Sequence, residues 1–364
     1  MNLPRHAELW FPGYFRDRTR RLIQRPKVRR LWVAITDHYE PLCQKVSMEV
    51  ALQRVARWQH LWPRIADAAP RDAQGKRPRY SFFYPQEEYK AELLQPLAEM
   101  TQQGIGDVEV HIHHRDETPE SFIRKMSDFC RCLRNDHGLL NDHRGRMVFG
   151  FIHGNWALDN SRPDGLDCGL TGEIELLRDL GCYADFTMPS IPSPTQGRIV
   201  NQVYWCTGTP GRPKAFDRGI EASVGGGSRG DLLMITGPVG LRFRKGRAPR
   251  VEMGEIAHND PPTLERVRLW LDHAPLVGDE MFLKVHTHGA REDNADVLLG
   301  TETRASGLAE MFRWLHEETG RRGIELRWAS AYDMFCAIEE LTGPLSPGSR
   351  LPEMAGFPSG VHQP

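Results

Sequence analysis

The sequence lacks several features that would assign it to a well-defined class of protein. It contains no run of roughly 18 apolar residues, so no transmembrane helix is expected. It contains no C-x-x-C pair, so a zinc finger is not expected. Its formal net charge is only −1, so no strong overall field attracts nucleic acid or an anionic membrane. Nucleic-acid-binding and membrane-spanning roles are therefore not expected.

Signals for export and for nucleophilic catalysis are also missing. The first residues, MNLPRHAELWFPGYF, carry a proline at position 4 and lack the apolar core of a signal peptide. The seven cysteines are odd in number and scattered, which favours reduced thiols over a disulfide framework. We therefore expect a cytoplasmic protein. No G-x-S-x-G elbow occurs and no cysteine has a clear histidine partner, so serine or cysteine hydrolase chemistry is not expected.

Strand and helix patterns alternate along most of the 364 residues. Apolar strand patterns fall at 31–41, 79–85, 107–114, 146–156, 182–189, 280–289 and 324–330. Such alternation predicts an α/β fold with a mainly parallel sheet and helices outside it. About seven units predict a distorted or partial (β/α) barrel. The pattern loosens near 206–260, which we interpret as a loop/β insertion.

The same patterns divide the chain into three regions. Residues 1–30 form a basic N-terminal arm, and residues 31–340 form the barrel domain. Residues 341–364 are rich in proline, glycine and serine and are expected to be disordered.

Metal-ligand side chains collect where the predicted strands end. They are Asp37 and His38, then His111, His113 and Glu117, then His153, and finally His286 and His288. In barrels of this kind the chemistry gathers at the C-terminal ends of the strands. Residues two apart on a strand share a face, so His111 and His113 can bind one ion. Zinc or another divalent first-row metal is expected. The alternative is that these histidines only hydrogen-bond to their neighbours.

The stretch HGNWALDNSRPDG (153–165) follows the fourth predicted strand and is a candidate substrate-binding segment. Trp156 suits stacking against a sugar ring, and polar side chains around it suit recognition of hydroxyl groups. The residues predicted for this role are His153, Asn155, Trp156, Asp159 and Asn160. The alternative is a capped surface turn, because Asp, Asn, Ser, Pro and Gly are turn formers.

The order of these motifs resembles the polysaccharide deacetylase superfamily, carbohydrate esterase family 4 and its relatives, over roughly residues 31–335. The similar segments are 35–38 (family T-F-D-D), 80–83 (T-F-F), 109–117 (E-I-G-x-H-S-x-x-H), 153–156 (R-x-P-Y) and 285–288 (L-x-H). None of these motifs matches letter for letter. The resemblance implies a distorted barrel that uses a divalent metal ion to remove N- or O-acetyl groups from glycans.

The resemblance also implies roles for single residues. Asp37 matches the catalytic base, and His286 or His288 matches the general acid. His38 and His113 match metal ligands, with Glu117 or His111 completing the set. Here a histidine stands in place of the ligand aspartate, a glutamate stands in place of a ligand histidine, and the arginine of the fourth motif is missing.

We therefore expect a metal-dependent hydrolase that removes acyl groups from a carbohydrate, in surface polysaccharide metabolism. One alternative is a glycoside hydrolase that pairs Asp37 with Asp159 or Asp185. The other is a non-catalytic glycan-binding member of the same fold.

Overall fold

A computed structural model describes residues 3–209, 211–243, 246 and 249–343. The part of the predicted disordered tail beyond residue 343 lies outside the described residues. The strands are β1 (Arg30–His38), β2 (Tyr80–Pro85), β3 (Gly106–Ile112), β4 (Asn141–His143), β5 (Arg146–His153), β6 (Cys182–Asp185), β7 (Val203–Cys206), β8 (Gly219–Glu221), β9 (Leu233–Ile235), β10 (Gly240–Arg242), β11 (Arg250–Glu252), β12 (Glu255–Ile256), β13 (Leu276–Val277), β14 (Glu280–Thr287) and β15 (Glu325–Trp328). The α-helices are α1 (Ala7–Gln24), α2 (Met48–Ala68), α3 (Ala91–Gln102), α4 (Pro119–His137), α5 (Glu173–Asp179), α6 (Leu264–His273), α7 (Glu292–Leu298), α8 (Gly307–Arg322) and α9 (Ala331–Thr342).

Thirteen strands form one mostly parallel sheet, in the order β12-β14-β1-β2-β3-β5-β6-β9-β7-β8 with β4, β13 and β15 paired at its sides. The α/β class predicted from the alternating pattern is confirmed. Strands β10 and β11 form a separate antiparallel pair. The predicted insertion at 206–260 contains the short strands β8 to β12. The closure of the sheet into a barrel stays a prediction.

The sheet is strongly curved. Five strand spacings separate β14 from β6 along the sheet, which is roughly 24 Å in a flat sheet. Lys284 of β14 nevertheless donates hydrogen bonds to the carbonyl oxygens of Phe186, at 2.5 Å, and Met188, at 2.6 Å, just after β6. A single lysine side chain cannot reach across a flat sheet of that width. The two strands therefore approach each other across a concave face.

Alternation along the strands gives the sheet two different faces. Leu31, Val33 and Ile35 of β1 are buried in the same apolar cluster as Trp58 and Trp62 of α2. This convex face is covered by helices, as expected for a parallel sheet. Ala34 of β1, between them, belongs to a second cluster with residues of α9. The C-terminal helix α9 therefore packs on the concave face.

The convex layer includes α4, whose ends follow the sequence signals. Thr118 accepts a hydrogen bond from the backbone N–H of Ser121, and Ser121 in turn accepts one from the N–H of Thr118, so the two form a capping box. Gly138 follows the helix with φ 65°, a left-handed conformation that favours glycine. Thr118 and Gly138 therefore define the start and the end of this helix.

The basic N-terminal segment contains the helix α1, which contacts the rest of the chain through specific partners. Tyr14 stacks on His273 of α6, with ring centroids 5.7 Å apart. Arg21 donates to the carbonyl oxygen of Ala274 at 2.7 Å. The buried carboxylate of Asp17 accepts from Arg21 and from Asn201. Among the described residues, no helix has the length and apolar character needed to cross a membrane.

A buried ion pair joins β11 to α6. Glu252 accepts from Nε of Arg266 at 2.9 Å, from its Nη2 at 2.8 Å and from Nε1 of Trp270 at 2.9 Å. Both charged side chains are 1% exposed. Burial opposes ionisation of Glu252, but the hydrogen bonds and charges of Arg266, Trp270 and Arg242 together outweigh it and lower the pKa of the carboxyl group. The pair fixes the end of the insertion to the helix layer.

Substituting Arg266→Ala should lower the free energy of unfolding by about 3–5 kcal/mol, because it leaves a buried carboxylate without its main partner. Urea unfolding followed by circular dichroism measures this. Arg313→Ala is the matched control. It removes the exposed i,i+4 pair with Glu317 and should cost about 0.5 kcal/mol or less. Equal losses in the two variants would show that the buried pair does not anchor the insertion.

Candidate metal centre

Ligand-type side chains meet at the C-terminal edge of the sheet, on its concave face. One nitrogen or oxygen atom from each of His38, Glu40 and His111 lies within 4.8 Å of the others. Three further histidines adjoin these residues. We call the whole set the edge cluster: His38, Glu40, His111, His113, His286 and His288.

The rings of the edge cluster surround His38. Centroid distances from its ring are 4.6 Å to His288, 5.0 Å to His111 and 6.3 Å to His286. The ring of His113 is 4.6 Å from that of His111. The structure thus brings together five of the histidines predicted at the strand ends. They come from the ends of β1, β3 and β14.

Strand register explains this convergence. Thr36 of β1 pairs with His286 of β14, so His38 lies two residues further toward the C-terminal edge. On the other side His38 pairs with Phe83 of β2, and Pro85 of β2 pairs with His111 of β3. Because alternate residues share a face, His38 points to the same side as His111. Glu40 lies just beyond the end of β1, and its carboxylate approaches both imidazoles.

Hydrogen bonds on the outer nitrogens fix how two of the imidazoles are protonated. Nδ1 of His111 lies 2.8 Å from the carbonyl oxygen of Ile152, and a carbonyl can only accept. Nδ1 of His113 lies 2.5 Å from Oε1 of Glu87. The Nδ1 atoms therefore carry protons, and the Nε2 atoms are free to act as ligands. They lie 3.2 Å and 3.7 Å from Oε1 of Glu40.

The electrostatics differ among the imidazoles of the edge cluster. At His113, Glu87 and Glu40 raise the pKa of the ring against the effect of burial, whereas at His38 the neutral form is favoured. Burial lowers the pKa of His38 well below its ordinary value, and the neighbouring His288 and His111 lower it further. Burial opposes ionisation of Glu40, but the interactions with His111, His288 and His113 together outweigh it and lower the pKa of the carboxyl group to about 2. Neutral imidazole and ionised carboxylate are the forms that bind metal ions.

His286 is buried among these groups without a hydrogen bond. Neither of its ring nitrogens has a partner within the described residues, although the side chain is only 3% exposed. Burial, and next the charge of Lys284, lower the pKa of His286 well below its ordinary value. Two unsatisfied nitrogens in a buried site are costly unless a ligand, ion or water meets them.

Asp37 lies on the other face of β1. Its Oδ2 accepts from the hydroxyl of Tyr80 at 2.9 Å, and its Oδ1 accepts from the backbone N–H of Gly289 at 2.7 Å. Burial raises the pKa of Asp37 to about 7, against the effect of these two hydrogen bonds. The predicted base is therefore fully buried and holds the residue that follows His288, and the structure does not place it among the histidines.

Glu117, a predicted ligand, also lies apart from the edge cluster. Its Oε2 accepts from Nζ of Lys125 at 2.5 Å, and its Oε1 accepts from the hydroxyl of Ser121. Its nearest histidine is His114, with Nδ1 at 3.7 Å. The carboxylate that accompanies His38 and His111 is instead Glu40.

The predicted substrate-binding segment divides into surface and buried parts. Asn155 is exposed and Trp156 is half-buried, whereas Asp159 is fully buried. The Asp159 carboxylate accepts from the backbone N–H groups of Gly172 at 2.8 Å and Ala215 at 2.7 Å, so its oxygens bind the chain itself. Asn160 donates from its side chain to Thr171 at 3.3 Å.

The backbone of this segment is unusual. Four residues other than glycine, Asn155, Trp156, Asp159 and Asn160, have φ between 51° and 54°. Left-handed conformations are rare for such residues and concentrate at functional sites. Asn155 is the exposed member of these four residues, and Trp156 and Asn160 are half-buried.

Gly154 connects the segment to the edge cluster. A Cβ atom at this position would lie 2.3 Å from Cδ2 of His113 and 2.7 Å from the carbonyl oxygen of Ile112. The His113 ring therefore packs against the backbone where only glycine fits. Asn155 and Trp156 follow directly, so they lie beside the rim of the cluster.

A second set of ligand-type residues lies on the convex side. Ligand atoms of His114, His153, Cys168 and Glu173 all lie within 4.8 Å of one another, and all four residues are buried. We call this set the buried cluster. His153, predicted to bind substrate, belongs to it. The ring of His114 stacks on Phe122 of α4, with centroids 5.3 Å apart.

Sequence reasoning missed Glu40, Glu87, Cys168 and Glu173. Glu40 carries a usable signal, because it follows His38 by two residues and strand alternation places both on one face. Cys168 and Glu173 lie in and after a turn-rich loop, where no periodicity indicates which side chains meet.

Comparison with protein families and with curated proteins gives no assignment for this site. No protein-family model matches the chain, and no curated protein matches it. The geometry of the two clusters is therefore the basis for functional inference.

Gly154→Ala should displace the His113 ring and weaken metal binding at the edge cluster. The added Cβ overlaps the ring, and misplacing a group that supports metal ligands typically costs about 10-fold to 100-fold in affinity. Competition titration with a chromogenic chelator measures the affinity. Gly320→Ala is the control, since a Cβ there meets nothing within 4 Å. Unchanged affinity in Gly154→Ala would show that the position of the His113 ring does not support the metal ligands.

Proposed function

We propose that this protein is a metal-dependent hydrolase that removes an acyl group from a carbohydrate, with the edge cluster as its active site. One observation carries the proposal. Glu40 faces the Nε2 atoms of His111 and His113, and both imidazoles have their Nδ1 atoms occupied by outer hydrogen-bond acceptors. An imidazole held in this way presents its Nε2 atom to a metal ion, the role we assign to His111, or to a proton in transfer, the role we assign to His113.

The residues present suit a divalent first-row ion. Imidazole nitrogens and a carboxylate oxygen are ligands that zinc accepts. The unpartnered nitrogens of His286 add an unsatisfied buried group beside them. We therefore assign the ligand role to His38, Glu40 and His111. An ion bound there would activate water near neutral pH and polarise a carbonyl oxygen.

The accessibility of the edge cluster supports a catalytic role. His113, His288 and Glu40 are only partly buried, whereas His38 and His111 beneath them are buried. Catalytic zinc sites keep a position open to substrate, whereas structural sites are closed. The half-buried residues therefore form the side from which a substrate enters.

We assign proton transfer to the residues at this open side. A general base must come within hydrogen-bonding distance of the proton that it removes. Nε2 of His113 faces the cluster, and Glu87, 2.5 Å from its Nδ1, stabilises the protonated ring. His288, on the other side of His38, is placed to protonate the departing hydroxyl or amine. Asp37 acts as a positioning residue, through its hydrogen bond to Gly289.

The carbohydrate is inferred from the surface beside His113. Trp156 offers a half-buried indole ring and Asn155 an exposed amide directly after Gly154. An aromatic ring with polar groups beside it suits a sugar, which has both apolar and hydroxyl-bearing faces. This proposal also takes the curved sheet as the distorted barrel of the deacetylase type. It places the protein in the cytoplasm, where its seven free thiols would stay reduced.

The glycoside hydrolase alternative requires two carboxyl groups that face each other across a sugar. Both oxygens of Asp37 accept hydrogen bonds from the protein. Asp185 accepts from the backbone and the hydroxyl of Thr187, at 3.0 Å and 2.7 Å, and Asp159 is likewise occupied. The metal-dependent mechanism therefore has more support.

The proposed activity should release acetate from acetylated sugars, and a chelator should abolish it. Activity should return on adding zinc, because the ion is reloaded onto existing ligands. His111→Ala should lose both the activity and about one equivalent of metal, as measured by acetate release and elemental analysis. The exposed His60, changed to alanine, is the control. Full activity in chelator would favour paired carboxylates, and glycan binding without turnover would favour a binding protein.

His113→Gln should separate proton transfer from metal binding. If His113 is the base, turnover falls by roughly 10²-fold to 10⁴-fold, while the metal content stays that of the wild type. Steady-state kinetics and elemental analysis on the same preparation test this. Loss of metal together with activity would instead make His113 a ligand. Unchanged turnover would remove it from the mechanism.

A further inference from the structure

We propose that the buried cluster is a second metal site, a structural zinc site formed by His114, His153, Cys168 and Glu173. It is separate from the edge cluster and does not depend on the proposed function. His153 follows Ile152 on β5, and the ring of His114 stacks on Phe122 of α4 in the convex layer. The two clusters therefore lie on opposite faces of the sheet.

The distances suit tetrahedral coordination. Nε2 of His114 lies 2.7 Å from Nε2 of His153 and 3.1 Å from Oε1 of Glu173. Nε2 of His153 lies 3.5 Å from the same oxygen, and Sγ of Cys168 lies 3.5 Å from Oε2 of Glu173. Zinc–nitrogen bonds of about 2.0–2.1 Å place tetrahedral ligand atoms roughly 3.3 Å apart. The four side chains need only small shifts to bind one ion.

The atoms that converge in the buried cluster include more hydrogen-bond acceptors than there are protons to share among them. Nδ1 of His153 lies 2.6 Å from the carbonyl oxygen of Gly154, so Nδ1 carries the proton and Nε2 carries a lone pair. That lone pair faces Nε2 of His114 and a carboxylate oxygen. If Nε2 of His114 donates, its single proton must serve both of these acceptors. Nδ1 of His114 has no hydrogen-bond partner in the described part of the chain.

Charge gives an independent argument for a divalent ion. Glu173 is fully buried, and its Oε2 accepts from the backbone N–H of Asp159 at 2.7 Å. No lysine or arginine pairs with Glu173 among the ion pairs of the described residues. Its ion-pair partners are His114, at 3.1 Å, and His153, at 3.5 Å. When both imidazoles are neutral the buried carboxylate has no compensating charge, which is costly. Zinc with one carboxylate and one thiolate is neutral overall, so the ion removes this cost.

The buried cluster is closed to solvent, which favours a structural role for its zinc ion over a catalytic one. His153, Cys168 and Glu173 are 0% exposed, and His114 is 6% exposed. Structural zinc sites use four protein ligands and leave no open position. Outer contacts also hold the ligands, since Asp159 accepts from the N–H of Glu173 and Cys168 accepts from the N–H of Asn160. Such outer partners are typical of metal sites.

A zinc ion here would stabilise the segment that borders the active site. His153, Cys168 and Glu173 span the loop between β5 and α5, and His114 follows β3. The loop contains only two short 3-10 turns, at Gly154–Trp156 and Leu158–Asn160. One ion would join its two ends to the sheet and so hold Asn155 and Trp156 at the rim.

Cobalt substitution tests the proposal directly. The wild-type protein is stripped of metal and reloaded with Co²⁺ alone, and absorption in the near ultraviolet is recorded. A thiolate-to-cobalt charge-transfer band is expected, because only the buried cluster includes a cysteine. Cys168→Ala should lose this band and about one equivalent of cobalt. Cys130→Ala, which removes another buried thiol in the same core, should keep both.

The outcomes distinguish this inference from the proposed function. A band absent from the wild type, or kept in Cys168→Ala, would overturn the zinc site. If Cys168→Ala does not fold, Cys168→Asp retains an anionic ligand and should bind cobalt without the band. If the protein binds a single equivalent of cobalt that shows the band and is retained in His111→Ala, the result supports the buried site alone. If the protein binds a single equivalent of cobalt that shows no band and is lost in His111→Ala, the result supports the edge cluster alone and overturns the buried zinc site.

Discussion

The register of β1 between its neighbours is the constraint on which the candidate site depends. β1 pairs with β14 over eight residue pairs, from Arg30 with Glu280 to Asp37 with Thr287. On its other side, its C-terminal end pairs with β2. This register places His38 beside His288 and His111. A slip of one residue would turn His38 toward the helices and bring Asp37 into the concave face. The edge cluster therefore requires this pairing.

Because side chains alternate between the two faces of a strand, the edge cluster and the buried cluster lie on opposite faces of the sheet. On the concave side, partly exposed histidines surround Glu40, whereas on the convex side His114, Cys168 and Glu173 lie in the core. Gly154 links the two sides, because it follows His153 of the buried cluster and supports the ring of His113. A metal ion in the buried cluster would thus contribute to the position of a residue in the edge cluster.

Much of this arrangement could be predicted from sequence. Strand periodicity depends only on neighbouring residues, and parallel strands bring their C-terminal ends to one edge of the sheet whatever their side chains. They predicted the parallel sheet and the approach of His38, His111 and His286. Periodicity fails where a strand ends. β3 stops at Ile112, two residues short of the predicted strand, so alternation no longer governs His114 or Glu117. Cys168 and Glu173 depend on loop contacts such as those of Asp159, which only the tertiary structure reveals.

The central claim is that the concave edge binds a metal ion through His38, Glu40 and His111. Crystals of the wild-type protein grown with zinc would test it, by an anomalous difference map recorded at the zinc absorption edge. The account predicts a peak within bonding distance of Nε2 of His111 and of the Glu40 carboxylate. A map with no peak among these three residues, at full zinc occupancy elsewhere in the protein, would contradict it.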